Sequence, residues 1–427
     1  MVGRIRWGLL IVFIFGIDMV ANADVLVDRR RDQYPPSFGY FVYPIYVQIP
    51  GLGAAKGAGG TFVNVADTDT DLTAFSIDGD FHAAGLTALN MHLLPRRLIF
   101  DAALYEYRVA FRSFERGIDS SKDKFIYPEA EGHGGTGQLT LTFFDKRLDF
   151  YSRFGQQTSQ INRVFSSTGE NEFQTLDNRK ATSQLLTLGV NVDLTDDRQD
   201  PRTGIRFEAN RKERLDNVDP IYSSFVVYDV NLTAYIPIGS KDTWVWNAYR
   251  SSTRLKHQGS TDYGELQSRF GFSCGSYADP AVQAECDDAE SQYINRIIDN
   301  NRYGTATPLG GTQRLRSYLG GRFYGGETLF IGTEYRWNLT EEYTPIDWFF
   351  LRGHRTNMQI SFFAEAGSVS ETSSGLTDKF KYSYGMGFRM LFEGTTLRAD
   401  IAHGGEGTEM ILFIDYPFSL YSVDSPE

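Results

Sequence analysis

The chain has 427 residues, 42 of them glycine and 14% aromatic, and a formal net charge of −12. Acidity of this size argues against a nucleic-acid partner, because such recognition begins with a basic surface. Beyond the leader no apolar stretch reaches the ~18 residues of a helical span, which excludes a helical membrane protein.

Arg4 and Arg6 open the chain, Gly8 to Val20 is mostly apolar, and Ala21-Asn22-Ala23 has the small residues of a signal-peptidase site. This order reads as a signal peptide over residues 1–23, followed by a short segment, 24–35. Strand-like sequence then runs from residue 36 to 418, with no Pro/Ser-rich seam dividing it. Its clearest signal is alternation of period two. Leu186, Leu188, Val190, Val192 and Leu194 share one face, with Thr187, Asn191 and Asp193 opposite. The pattern returns at Tyr228, Val230, Leu232 and Ile236, with Asp229, Asn231 and Thr233 opposite. It closes with Met410, Leu412, Ile414, Tyr416 and Phe418 on an expected oily face. A soluble sandwich gives the same alternation, but these runs reach about 10 residues, the length of a tilted membrane strand. A domain this large made only of strands suits a closed barrel, whose edges are all paired.

The strand segments fall near Phe41–Gln48, Thr61–Ala66, Leu72–Asp78, Leu86–Leu94, Leu98–Phe111, Gly137–Phe144, Arg147–Gly155 and Gln184–Thr195. They continue with Gly204–Arg211, Val226–Ile236, Thr243–Arg254, Tyr263–Cys274, Thr328–Asn338, Met358–Ala366, Tyr382–Phe392, Leu397–His403 and Glu409–Phe418. That is one more than an even barrel requires, and sixteen strands are expected. The fold class is therefore all-β, a transmembrane antiparallel β-barrel. Thr168–Ser183 reads as a mobile loop. Residues 275–327 form one long connection carrying acidic Glu285, Asp287, Asp288 and Glu290, and a connection so long is expected to be functional. Cys274 and Cys286 lie at its start, and export favours a disulfide between them, two free thiols being the alternative. Residues 419–427 form a tail.

Within the long connection, Pro308-Leu-Gly-Gly-Thr-Gln-Arg-Leu-Arg316-Ser-Tyr318 resembles the signature loop of the bacterial surface antigen superfamily, the BamA/TamA-like outer-membrane barrels. In that family the loop core is Val-Arg-Gly-Tyr/Phe; here leucine stands for valine and serine for glycine. Further elements follow in the family's order. The turn Leu194 to Gly204 resembles D-x-R-x-x-P-x-x-G. Gly332-Thr-Glu334-Tyr-Arg336, Phe363-Ala-Glu365-Ala-Gly367, Gly385-Met-Gly387-Phe-Arg389 and Leu397-Arg-Ala-Asp400 resemble the strands around the loop. The resemblance implies a barrel reached through secretory export, standing in outer-membrane lipid and acting in translocation, insertion or assembly of protein or lipid material.

 It implies no cofactor and no catalytic role.

The same resemblance implies that the loop folds into the lumen and that Arg316 meets an acidic wall group there. A guanidinium presents a planar fork that holds a carboxylate by two parallel bonds. Glu365 is the expected partner, with Glu334 or Asp400 replacing or extending it, and Tyr318, Arg336 and Arg389 complete the expected loop-and-wall set. Family members of the assembly and secretion branches carry periplasmic POTRA repeats before the barrel. Here strands begin about 20 residues after the cleavage site, which leaves no room for one. The expected partners are thus lipid, an exported substrate or a separate periplasmic or POTRA-containing protein, around a monomeric barrel. A structural or passive pore is the alternative. Enzymatic readings are weak. The six histidines have no metal spacing, Gly51–Gly60 lacks the Gly-Lys-Ser/Thr ending and the strand-to-helix context of a phosphate loop, and no coherent G-x-S-x-G elbow is found.

Overall fold

The computed structural model describes residues 27–34, 37–49, 53–167, 171–175, 180–215, 220–340, 344–392, 395–414 and 417–418. The expected signal peptide and the 419–427 tail lie outside the described residues. Sixteen long antiparallel strands follow one another around a closed barrel. The first eight are β1 (Gly39–Ile49), β2 (Gly53–Val65), β3 (Thr70–Gly79), β4 (His82–Leu94), β5 (Leu98–Ala110), β6 (Phe125–Phe143), β7 (Leu148–Phe165) and β8 (Ala181–Asp193). The rest are β9 (Gly204–Arg214), β10 (Ser224–Ile238), β11 (Asp242–His257), β12 (Glu327–Asn338), β13 (Leu351–Ser370), β14 (Lys381–Phe392), β15 (Thr395–Gly404) and β16 (Gly407–Ile414).

Alternation decides which way each side chain faces. On β10, Tyr228, Val230, Leu232 and Ile236 are exposed on the outside, while Asp229, Asn231 and Thr233 are buried on the inside. The same division puts Leu104, Phe150, Leu188, Ile331, Trp337 and Phe388 outside, and Gln138, Asp149, Asn191, Glu334 and Arg389 inside. An oily exterior around a polar interior is the reverse of a soluble protein, and it suits a barrel in lipid.

The long connections gather at one end. Between β11 and β12 the chain forms α1 (Tyr263–Phe270) and α2 (Pro280–Tyr303). The strand expected over Tyr263–Cys274 is thus incorrect, and it is the surplus segment of the sequence count. Asp262 caps α1 by accepting from the Glu265 amide, and Leu266 and Phe270, four apart, are both buried. That is helical spacing, in a stretch too short to display it clearly. α2 starts with Asp279 as cap and Pro280 in the first turn, and it stops at Gly304, whose φ is +68°. Its buried face includes Ala289, Glu290 and Asn301, so little apolar periodicity marks it in sequence. The acid cluster therefore lies on a helix, with Glu290 buried and accepting from Gln267 Nε2 at 2.6 Å. The Cys274–Cys286 disulfide ties the turn after α1 to α2. Thr168–Ser183 is not the plain loop expected. Its Glu172–Gln174 pairs with β7, and Phe173 is buried against Phe272 and the disulfide.

The first and last strands meet differently from the others. Among the described residues one register pair joins them, Gln48 with Leu412. Towards the short-turn end they part. Tyr40 and Phe41 of β1 instead pair with Arg352 and Leu351 at the start of β13, and the Val42 amide donates to the Phe350 carbonyl at 3.0 Å. Phe41, on the inner side of β1, stacks on Phe392 at 4.4 Å. Phe392 shares the outer side of β14 with exposed Phe388 and Met386. The start of β1 therefore overlaps the outside of the β14–β15 end, and the seam is a lapped joint. β16 ends at Ile414, short of the expected Phe418. Phe418 does not continue an oily outer face. It is buried, its amide donates to Gln313 Oε1 at 3.1 Å, and its carbonyl accepts from inward Asn231 at 2.7 Å. The turn at Pro417–Phe418 reverses the alternation that the sequence pattern extends through it.

Candidate functional site

The connection from Gly304 to Gly326 packs against the inner faces of β12, β13 and β15. Gly310 and Gly311 adopt φ of +104° and +98°, a region costly to other residues. A Cβ on Gly310 would stand 2.1 Å from the Leu319 carbonyl, so the hairpin needs glycine there. In the loop core the left-handed residue is Leu315, φ +53°, and Ser317 is not among the positive-φ residues. Ser317 instead donates its amide to Ser383 Oγ at 3.0 Å. Gly404 leaves the space for it, since a Cβ there would lie 2.2 Å from the serine hydroxyl.

Arg316 is wholly buried among three carboxylates. Its Nε donates to Glu365 Oε1 at 2.8 Å, Nη1 to Asp400 Oδ2 at 2.9 Å and Nη2 to Glu334 Oε2 at 3.2 Å. Its own amide donates to Glu365 Oε2 at 2.8 Å, and its guanidinium lies 3.4 Å from the Phe363 ring centroid. Glu334 also receives both Nη atoms of Arg389 at 2.6 Å and Arg336 Nε at 2.8 Å. Arg398 stands 3.6 Å from Asp400. Four guanidinium groups thus share three carboxylates. Such a network is held by mutual pairing, and removing one member strands the others in a dry setting. Tyr318 accepts from the Gly405 amide at 3.1 Å and donates to the Tyr382 carbonyl at 3.2 Å, which ties the loop to the rim. Glu365, Glu334, Asp400, Arg336, Arg389, Arg316 and Tyr318 all lie at this place.

Other contributors had no separate sequence expectation. Arg322, fully buried, reaches Glu406 and Ser120, and Arg314 stacks on Tyr249 at 3.8 Å. Phe418 packs on Phe330 at 5.9 Å beside the cluster. At the short-turn end, Arg29, Arg30 and Arg31 bind the turn after β8. Arg29 pairs with Asp193, Arg30 with Asp196 and the Asp200 carbonyl, and Arg31 with Asp197. The complementary runs Arg29–Arg31 and Asp196–Asp200 were the available signal. Tyr34 follows, buried between Lys146 Nζ, 3.7 Å from its ring centroid, and Arg96 at 4.7 Å. Burial pulls the Lys146 ammonium down to about 8, and nearby Arg198 adds to the shift. Burial pushes the Tyr34 phenol up. Among the described residues no group of three or more His, Cys, Asp or Glu side chains is arranged to hold a metal ion.

No protein-family model and no curated protein matches this chain. Solved structures do. The barrel resembles CdiB from Escherichia coli at a TM-score of 0.52 and 9% identity, over 88% of this chain and 62% of that one. The chain shares the fold of that barrel. BamA from Haemophilus ducreyi lacking POTRA domains 1–3 also matches, at a TM-score of 0.47 and 12% identity, over 90% of this chain and 70% of that one. CdiB from Acinetobacter baumannii gives 0.48 and 10%, over 88% and 59%. The chain therefore spans about three fifths of the length of either CdiB. Its described strands form a closed β-barrel of sixteen.

Proposed function

We propose that the protein acts in translocation, insertion or assembly of protein or lipid material at the outer membrane, working at the lapped seam with the loop as an internal plug. The observation that carries this reading is the seam. Among the described residues one register pair joins β1 to β16, and a strand edge left open in a membrane is a place for something else to enter. The Arg316 cluster supports it by fixing the loop to β12, β13 and β15, the wall next to the strands that would move. A separate periplasmic or POTRA-containing protein is the partner proposed, delivering material from the short-turn side.

The test is a reversible lock. Gln48→Cys with Leu412→Cys places thiols on register partners. In a strain depleted of the native protein, the oxidised lock should fail to restore outer-membrane protein and lipid content, and reduction should restore it. Full complementation by the oxidised form would overturn the reading. A passive pore is the competing account, and the buried loop inside the barrel weighs against it. In planar bilayers the protein should conduct poorly, and excising residues 310–321 should raise its conductance. High conductance with the loop present would favour the pore.

A further inference from the structure

We propose that the inner wall of β1–β5, beside the seam, receives the acyl chains of a membrane lipid. This rests on the translocation reading above and names its substrate class. The wall differs from the rest of the interior. Phe41, Tyr43, Ile45 and Val47 of β1, Ala55 of β2 and Ile77 of β3 face inward together with Phe81, and Phe75, Ala83 and Val109 pack against them. Elsewhere many inward residues are charged or polar, as at Asp149, Arg153, Asp193, Glu208, Asn231 and Glu334, and the other inward apolar patch, at Tyr235, Val245, Tyr249 and Phe330, is covered by Leu309, Leu315, Tyr318 and Phe323 of the loop. An apolar inner wall is not needed for a water-filled barrel, whose lumen side is polar.

The wall is continuous with the lipid-facing surface around one strand. The outer side of β1 exposes Val42 and Tyr46, and across the seam Ile401 and Met410 are exposed. In the structure the outer side of the β14–β15 end covers part of the inner wall, through Phe392, Met390 and Leu397 packed on the cluster of Phe41 and Tyr43. Withdrawal of that end leaves an oily path from the bilayer to the interior that crosses no charged side chain named above. An alternating polypeptide strand fits this path less well. Its polar side would face Ile45, Val47 and Ile77 without hydrogen-bond partners, a costly burial, whereas an acyl chain needs none.

A photo-crosslinking amino acid at Ile45, and separately at Val47 and Ile77, tests this in cells, with heat-modifiable gel mobility as the check on folding. Irradiation should give adducts with the mass of diacyl lipid at these positions and not at Asn231. The adduct should disappear when the Gln48→Cys, Leu412→Cys pair is oxidised and return on reduction. A polypeptide adduct at Ile45 that disappears with the lock would overturn the lipid assignment and leave the translocation reading standing. No adduct at any of the three folded variants, or a lipid adduct indifferent to the lock, would also overturn it. Complementation by the locked barrel judges the translocation reading separately.

Discussion

Arg316 illustrates how far single residues decide the interior. Alternation puts Glu334, Glu365 and Asp400 on the inward side, but it says nothing of height along the barrel axis. The register does. Glu365 lies opposite Gly332 and Asp400 opposite Gly387, and the glycines leave the space that three carboxylates fill around one guanidinium. Asp400 Oδ1 would lie 1.9 Å from a Cβ on Gly387. Arg316→Ala should therefore loosen the loop while the barrel still forms, since it leaves buried carboxylates unpaired at a cost of about 3–5 kcal/mol. Limited proteolysis at residues 304–326 measures the loosening. Glu365→Ala should resemble it, and the double variant should fall short of the sum. Strict additivity would mean that the two do not act as a pair. Lys146 gives a second residue-scale test. With the strap of residues 27–34 docked, burial holds its pKa down at about 8; freed of the strap's share of that burial, it should rise toward the ordinary 10.5. Docking then releases a proton between those values, so the strap should bind more firmly as pH rises from about 8 to about 10.5 and be indifferent below. A spin label at exposed Asp28 should lose mobility over that range, and Lys146→Gln should flatten the response. Mobility that rises with pH would refute the assignment.

At the scale of elements, strands were legible and helices were not. A strand in lipid must alternate to satisfy both its faces, so period two survives in nearly every one. α1 and α2 only cover a rim, and their buried side includes polar Glu290 and Asn301, so no pattern was forced on them. Phe418 was misread for a related reason, because alternation carries no mark where a strand stops and turns inward. Outward residues should respond to charge by depth. Leu104→Arg, at an exposed position of β5, should cost about 2–4 kcal/mol if it lies near mid-membrane, whereas inward Thr140→Arg on β6 should cost less; the comparison is made by urea unfolding in detergent or lipid. Equal costs would contradict the division of faces. The Cys274–Cys286 clip spans 12 residues, and its loss should cost about 2–4 kcal/mol confined to the cap. Hydrogen exchange should rise in residues 263–303 with gel mobility of the barrel unchanged. A barrel that no longer forms without the clip would show that the cap guides closure.

For the whole molecule, strand count and closure followed from pattern and length, but the manner of closure did not. A lapped joint depends on the end of one strand passing outside another, which leaves no trace in the alternation of either. The same joint sets the order of assembly. Most strand neighbours are adjacent in sequence and can pair as short hairpins. The contacts that finish the molecule are of another kind: Arg29 finds Asp193 across 164 residues, and Asn231 finds Phe418 across 187. Contacts so distant carry the largest loop-closure entropy and form late, so the sheet should be nearly complete and still open while both chain ends search for their seats. Time spent in that half-rolled form, rather than the strength of any one strand pair, then governs how quickly a newly exported chain becomes a sealed cylinder.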